Sequence, residues 1–144
     1  MYVQHSVHID QPVENCAAAL ERGPRTWFPR LQGDNEAAVG LRVAGVSVRK
    51  RVIVELGEPE TKGEWTNVPI SWKATFPEQL FPVLVGRVEL VPVEKNVTRL
   101  TVSGMYEPPL GRLGALIDDA IMHSVAEATV REVTESIALQ FANG

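Results

Sequence analysis

The chain has 144 residues, and 14 Lys+Arg against 18 Asp+Glu give a formal net charge of -4. That length makes one domain, and 44% hydrophobic with 22% charged residues is the usage of a folded globular chain, which excludes disorder, collagen and disulfide scaffolds. A mildly acidic chain with scattered basic residues has no electrostatic footprint for phosphate backbones, so nucleic acid is not an expected partner.

Residues Tyr2 to Asp10 alternate, with Val3, His5, Val7 and Ile9 on one face and Tyr2, Gln4, Ser6 and His8 on the other, which predicts a half-buried strand. Asp10 is placed to cap a following helix, Pro12 suits its first turn, and Val13 to Leu20 is helical in propensity up to the breaker Gly23-Pro24. A second short turn carries Trp27 and Phe28 and ends at Pro29, and Gln32-Gly33-Asp34-Asn35 signals a turn. From Ala37 to Glu107 the period is two. The runs Ala37 to Val43, Val46 to Leu56, Trp65 to Thr75, Pro82 to Val93 and Val97 to Glu107 are separated by short junctions, as in an antiparallel meander. Beyond Pro108-Pro109, helix formers dominate from about Gly111 to Phe141. Met122, Ala126, Val130, Val133, Ile137 and Phe141 recur every three or four residues, with Glu127, Arg131, Glu132 and Glu135 opposite. That stripe is expected to face the sheet, and the first turns, apolar all round, to be buried.

No apolar run approaches the roughly 20 residues that span a bilayer. Met1 to His8 lacks the basic and apolar regions of a signal peptide, so a cytoplasmic location is expected. Cys16 is the single cysteine, and without CxxC or HExxH neither a metal site nor another cofactor is expected.

A strand, two short helices, a curved antiparallel meander of six or seven strands and a long C-terminal helix follow the helix-grip order of an α+β fold. The segment Val7-His8-Ile9-Asp10-Gln11-Pro12-Val13-Glu14, and Tyr106-Glu107-Pro108-Pro109-Leu110-Gly111 running into Val125-Ala126-Glu127-Ala128-Thr129-Val130-Arg131, resemble the START-related polyketide cyclase/lipid transport superfamily (SRPBCC) over nearly the whole chain. The resemblance implies a hydrophobic cavity between sheet and helix, used in that superfamily for lipids, sterols, hormones or polyketides, and by a minority of members for cyclase or dehydratase chemistry.

Strict alternation turns Val46, Val48, Lys50, Val52, Val54 and Leu56 inward, with Val68, Ile70, Trp72 and Ala74, Leu84, Gly86, Val88 and Leu90, and Leu100, Val102, Gly104 and Tyr106. Lys50 is the oddity. An inward ammonium needs a carboxylate, water or a ligand anion, because burying it alone costs several kcal/mol, about the effective penalty for a buried ion. The plainer reading puts Lys50 at a sheet margin, its stem reaching water. Trp72 and Tyr106 each join an apolar body to one polar tip, suited to orienting a ligand or simply filling a core. Met122 would touch the ligand from the helix and Val88 from the sheet. Gly86 and Gly104 leave volume or let the sheet bend. His5 is a candidate cavity donor or acid/base, with a satisfied structural histidine as the plainer alternative. Cys16, among alanines, reads as a packed small hydrophobe.

On the last helix Asp119 and His123, and Glu127 and Arg131, stand one turn apart in the order that favours surface ion pairs, each worth roughly 0.2 to 0.5 kcal/mol. Arg42, Arg49 and Arg51 fall on the outward parity, as do Arg87 and Glu89, which are expected to be able to pair across strands. The first expectation is a carrier or sensor of a lipid- or polyketide-like hydrophobic small molecule. A polyketide aromatase/cyclase or dehydratase, drawing on Lys50, Tyr106 and His5, is the alternative, and a protein-interaction module with a filled core the second. Entry to the cavity is expected between Gly111 to Gly114, an exposed Trp27-Phe28 and Phe76 to Phe81.

Overall fold

The alternation at the start of the chain folds as strand β1 (Tyr2–Ile9), with Val3 and Ile9 buried and Tyr2, Gln4, Ser6 and His8 exposed. The computed structural model describes residues 2–28, 31, 36–43, 46–74, 83–107 and 119–143, and the side chains at 36, 38–43, 46–50, 74, 107, 119–122 and 143 fall outside that description.

Helix α1 (Val13–Glu21) buries Cys16, Ala19 and Leu20. Asp10 does not cap it. The cap position falls two residues later on Pro12, whose extended backbone starts the helix with no side-chain cap. Gly23, at φ 104°, then turns the chain into α2 (Pro24–Trp27), a backbone conformation that a side chain would strain.

Strands β2 (Glu36–Val43), β3 (Val46–Leu56), β5 (Trp65–Ala74), β6 (Val83–Glu94) and β7 (Val97–Glu107) reproduce the five predicted runs almost residue for residue. The junction between β3 and β5 is more than a connection, for it contains β4 (Glu60–Lys62), which pairs with β5. All three residues of β4 are exposed and two are charged, so an edge strand without a buried face leaves no hydrophobic alternation in the sequence.

The sheet is antiparallel in the order β1-β7-β6-β5-β3-β2, with β4 beside β5. Pro69 lies inside β5, where a missing N–H normally breaks a ladder. Its carbonyl accepts from Gly57 N–H at 2.8 Å just beyond the end of β3, and N–H and C=O of one strand residue point the same way. The missing donor therefore faces the gap where β5 exchanges β3 for β4 as neighbour.

Helix α3 (Asp119–Asn143) packs against both edge strands, β1 and β2, as well as β7. A flat sheet of this width cannot bring both edges to one helix, so the sheet is wrapped around it. The predicted stripe faces inward: Ala126, Val130, Val133, Ile137 and Phe141 are all buried, whereas Glu127, Arg131 and Glu135 are exposed. The stripe is wider than its apolar members, because Thr129 and Thr134 are buried too. Each hydroxyl donates to the carbonyl one turn back, Val125 and Val130 respectively, which satisfies it without an outside partner.

Trp27 and Phe28 are not at an exposed mouth. Each is 2% exposed, and Trp27 stacks on Phe141 of α3 with ring centroids 6.1 Å apart and meets Phe28 edge-on at 5.9 Å. A large aromatic at the end of a four-residue helix and another at its cap bury most of their surface only by docking, and the end of α3 supplies the partner of Trp27. The other segments expected at the mouth, 76–81 and 111–114, lie outside the described residues.

Cys16 is 1% exposed, and burial pushes its thiol pKa up, with only partial opposition from a hydrogen bond to Thr98. Because the thiolate is the nucleophile, the folded protein is expected not to react with a thiol reagent at neutral pH over minutes and to react fully in denaturant. Rapid native labelling would show that α1 is not docked.

Candidate functional site

Strand register sorts the inward side chains into rows across the sheet. Val54, Trp72, Leu84 and Tyr106 are direct neighbours on β3, β5, β6 and β7, and all four are buried. The next row holds Leu56, Ile70, Gly86, Gly104 and Val3, and the one after it Val68, Val88, Val102 and His5. Of the sequence-predicted site residues, register thus brings Trp72 and Tyr106 together, and separately Val88 and His5. The two pairs stand four residues apart along the strands, about 13 Å at the strand rise.

Lys50 pairs with Val39 on β2 and stands two residues before Val52 in an uninterrupted strand, towards the same end of the sheet as Trp72 and Tyr106. Its side chain, like that of Met122, is outside the described residues. His5 keeps the inward parity predicted for it. Its Nε2 is buried without a hydrogen-bond partner, with Glu135 Oε1 of α3 3.8 Å away, too far for a hydrogen bond.

The residue that sequence reasoning missed is His123. Expected in a surface pair with Asp119, it instead bridges sheet and helix. Its Nδ1 is 2.9 Å from the Tyr106 hydroxyl, its Nε2 is 2.8 Å from Glu127 Oε1, and the two rings lie 5.7 Å apart. Glu127, expected to pair with Arg131, is thus turned back toward the helix start. The i, i+4 spacing of His123 and Glu127 was legible in the sequence; that Tyr106 would reach the ring was not, because strand and helix are juxtaposed only by the fold. The outcome is a chain running from a phenol that is 1% exposed, through a ring 38% exposed, to a carboxylate 53% exposed. It is a line of polar groups leading from the apolar row to solvent.

Glycines 86 and 104 face each other across β6 and β7 because nothing larger fits. A Cβ on Gly86 would lie 1.9 Å from the Ser103 carbonyl oxygen, and one on Gly104 2.7 Å from that of Val85. Close backbone approach, more than room for a ligand, accounts for them. On the outer face Arg87 Nε and Glu89 Oε1 pair at 2.7 Å, but along β6 and not across strands as expected, because residues i and i+2 of one strand share a face. Farther along the sheet, toward α1 and α2, Leu20, Trp27, Leu56, Thr66 and Val68 line an open recess of about 470 Å³. Among the described residues no group of three or more His, Cys, Asp or Glu could hold a metal ion, and no helix is long and apolar enough to cross a membrane.

An antiparallel sheet wrapped on a C-terminal helix, with two short helices after the first strand, is the helix-grip fold of START-like (SRPBCC) proteins. Solved structures match it across essentially the whole chain. A conserved protein from Geobacillus kaustophilus aligns with a TM-score of 0.58 at 17% identity, covering 99% of this chain and 96% of the other. TTHA0849 from Thermus thermophilus aligns at 0.56 and 16%, covering 99% and 98%. The Zhui aromatase/cyclase from Streptomyces sp. R1128 aligns at 0.50 and 14%, covering 99% and 89%. At such identities the likeness establishes the fold. No protein-family model matches the sequence, and no curated protein matches it.

Proposed function

We propose that the protein binds a hydrophobic small molecule, lipid- or polyketide-like, between α3 and the end of the sheet that carries Trp72 and Tyr106. The observation carrying this reading is the Tyr106–His123–Glu127 chain, which brings one polar group to the margin of a row otherwise made of Val54, Trp72 and Leu84. Ligand sites combine an apolar lining with a few fixed polar groups, and this end of the sheet has both. In this reading Trp72, Tyr106 and Met122 meet the ligand body, Lys50 meets an anionic or carbonyl oxygen, and Val88 and His5 bound the far side. The aromatase/cyclase reading needs an acid and a base at one point, and the four-residue separation of His5 from Tyr106 gives it less support.

Native mass spectrometry of the purified protein tests the proposal and is expected to find a co-purified apolar molecule of stoichiometric mass. A protein that comes off clean, and that dodecanoate does not shift, contradicts it. Replacing Lys50 with Met keeps the stem and deletes the charge, so stability holds or rises while dodecanoate affinity falls about tenfold, the scale of one charge-assisted hydrogen bond. Unchanged affinity removes Lys50 from the site.

A further inference from the structure

We infer that the recess between α1, α2 and the connection from β3 to β4 is a second binding site, which takes a small organic cation with an apolar body. It goes beyond the binding reading above and stands apart from it in the fold. Thr66, on the floor of the recess, is six residues from Trp72 along β5, about 20 Å at the strand rise.

The floor follows from local structure. Alternation along β5 puts Thr66 on the same face as Val68, Ile70 and Trp72, so its hydroxyl joins an apolar surface. Leu56 at the end of β3, Leu20 of α1 and Trp27 of α2 complete that surface around an open volume of about 470 Å³, within the usual range for a small-molecule site. Two polar side chains here are more than nine-tenths buried, Thr66 at 5% exposed and Trp27 at 2%. Neither the hydroxyl nor the indole N–H makes a hydrogen bond among the described residues. The other buried threonines differ, since Thr98, Thr101, Thr129 and Thr134 each have a hydrogen-bond partner. A buried donor without an internal partner is costly, and both donors line the recess, where a polar atom of an occupant can meet them.

The rim sets the sign of the charge. Glu21 ends α1 and Glu58 follows β3; both are exposed, and neither has an ion-pair partner among the described residues. No described lysine or arginine lines the recess, and Arg22 and Arg25, exposed on the same stretch, stand outside the lining. Two unpaired carboxylates above an apolar floor complement an ammonium group and repel an anion. The cation sits at the rim, the apolar body covers Leu20, Leu56 and Val68, and an oxygen on that body accepts from a buried donor.

Three molecules that differ at one end test this: 4-phenoxybutylamine, 4-phenoxybutan-1-ol and 5-phenoxypentanoate, titrated by NMR at neutral pH and low salt. The amine is expected to bind about fivefold more tightly than the alcohol, the upper end of what an exposed ion pair supplies, and the carboxylate more weakly than either. The gap should narrow in about 1 M salt, where exposed charges are screened. Backbone shifts should centre on Leu20, Trp27 and Val68. Replacing both carboxylates, Glu21→Gln with Glu58→Gln, changes only exposed, unpaired positions and should bring the three affinities together, whereas Lys50→Met should leave amine binding unchanged. Equal binding of the three by the wild type, an order that survives the double replacement, shifts confined to the Trp72 end of the sheet, or binding of none of them overturns the inference. None of these outcomes alters the expectation for dodecanoate and the co-purified molecule, so the two readings fail separately.

Discussion

Gly86→Ala is expected to destabilise the protein by about 3 kcal/mol, the upper end of what over-packing costs, and to lower expression accordingly. The added methyl would sit 1.9 Å from the Ser103 carbonyl oxygen and 2.5 Å from Gly104 Cα. Both obstacles are backbone atoms of β7, which cannot swing aside as a side chain can. Relief requires β6 and β7 to separate, and β7 is held on its other side by eight register pairs with β1. Gly104→Ala meets the Val85 oxygen at 2.7 Å and Gly86 Cα at 2.9 Å, so its cost should be smaller, about 1 to 2 kcal/mol. Urea denaturation of both variants measures this. Losses below about 0.5 kcal/mol in each would mean that the strands do not cross as closely as described, and that the glycines are free to serve a ligand.

Ile137→Ala is expected to cost about 2 to 5 kcal/mol, as large-to-small changes at buried aliphatic sites do. Ile137 is 0% exposed, in line with Val130 and Val133 on the face of α3 that the sheet encloses. Wrapping makes the surroundings slow to collapse into the void, because α3 is held from both sheet edges at once. The exposed Leu139, two residues on, is the control: Leu139→Ala should change stability by under about 0.5 kcal/mol. Equal losses at 137 and 139 would contradict the docking of α3.

Periodicity determined most of this architecture. Residues at i, i+2 along a strand, or i, i+3 and i+4 along a helix, share a face whatever they later meet, so β1, the five long meander strands and the buried stripe of α3 could be placed from the sequence. What a face meets is a different matter. β4 has no buried face and therefore left no signal, and Asp10 lost the cap to Pro12 because fixed backbone angles, not capping preference, set the start of α1. Trp27 and Phe28 looked exposed while their partner, Phe141, lay more than a hundred residues away. The candidate site shows the same division. Strand parity selected Trp72 and Tyr106, and register then set them in one row with Leu84 between them. His123 and Glu127 were visible only as helix neighbours, a spacing that surface pairs share. Only the tertiary structure, by laying the start of α3 over the end of β7, turned that spacing into a line of polar groups ending on a buried phenol.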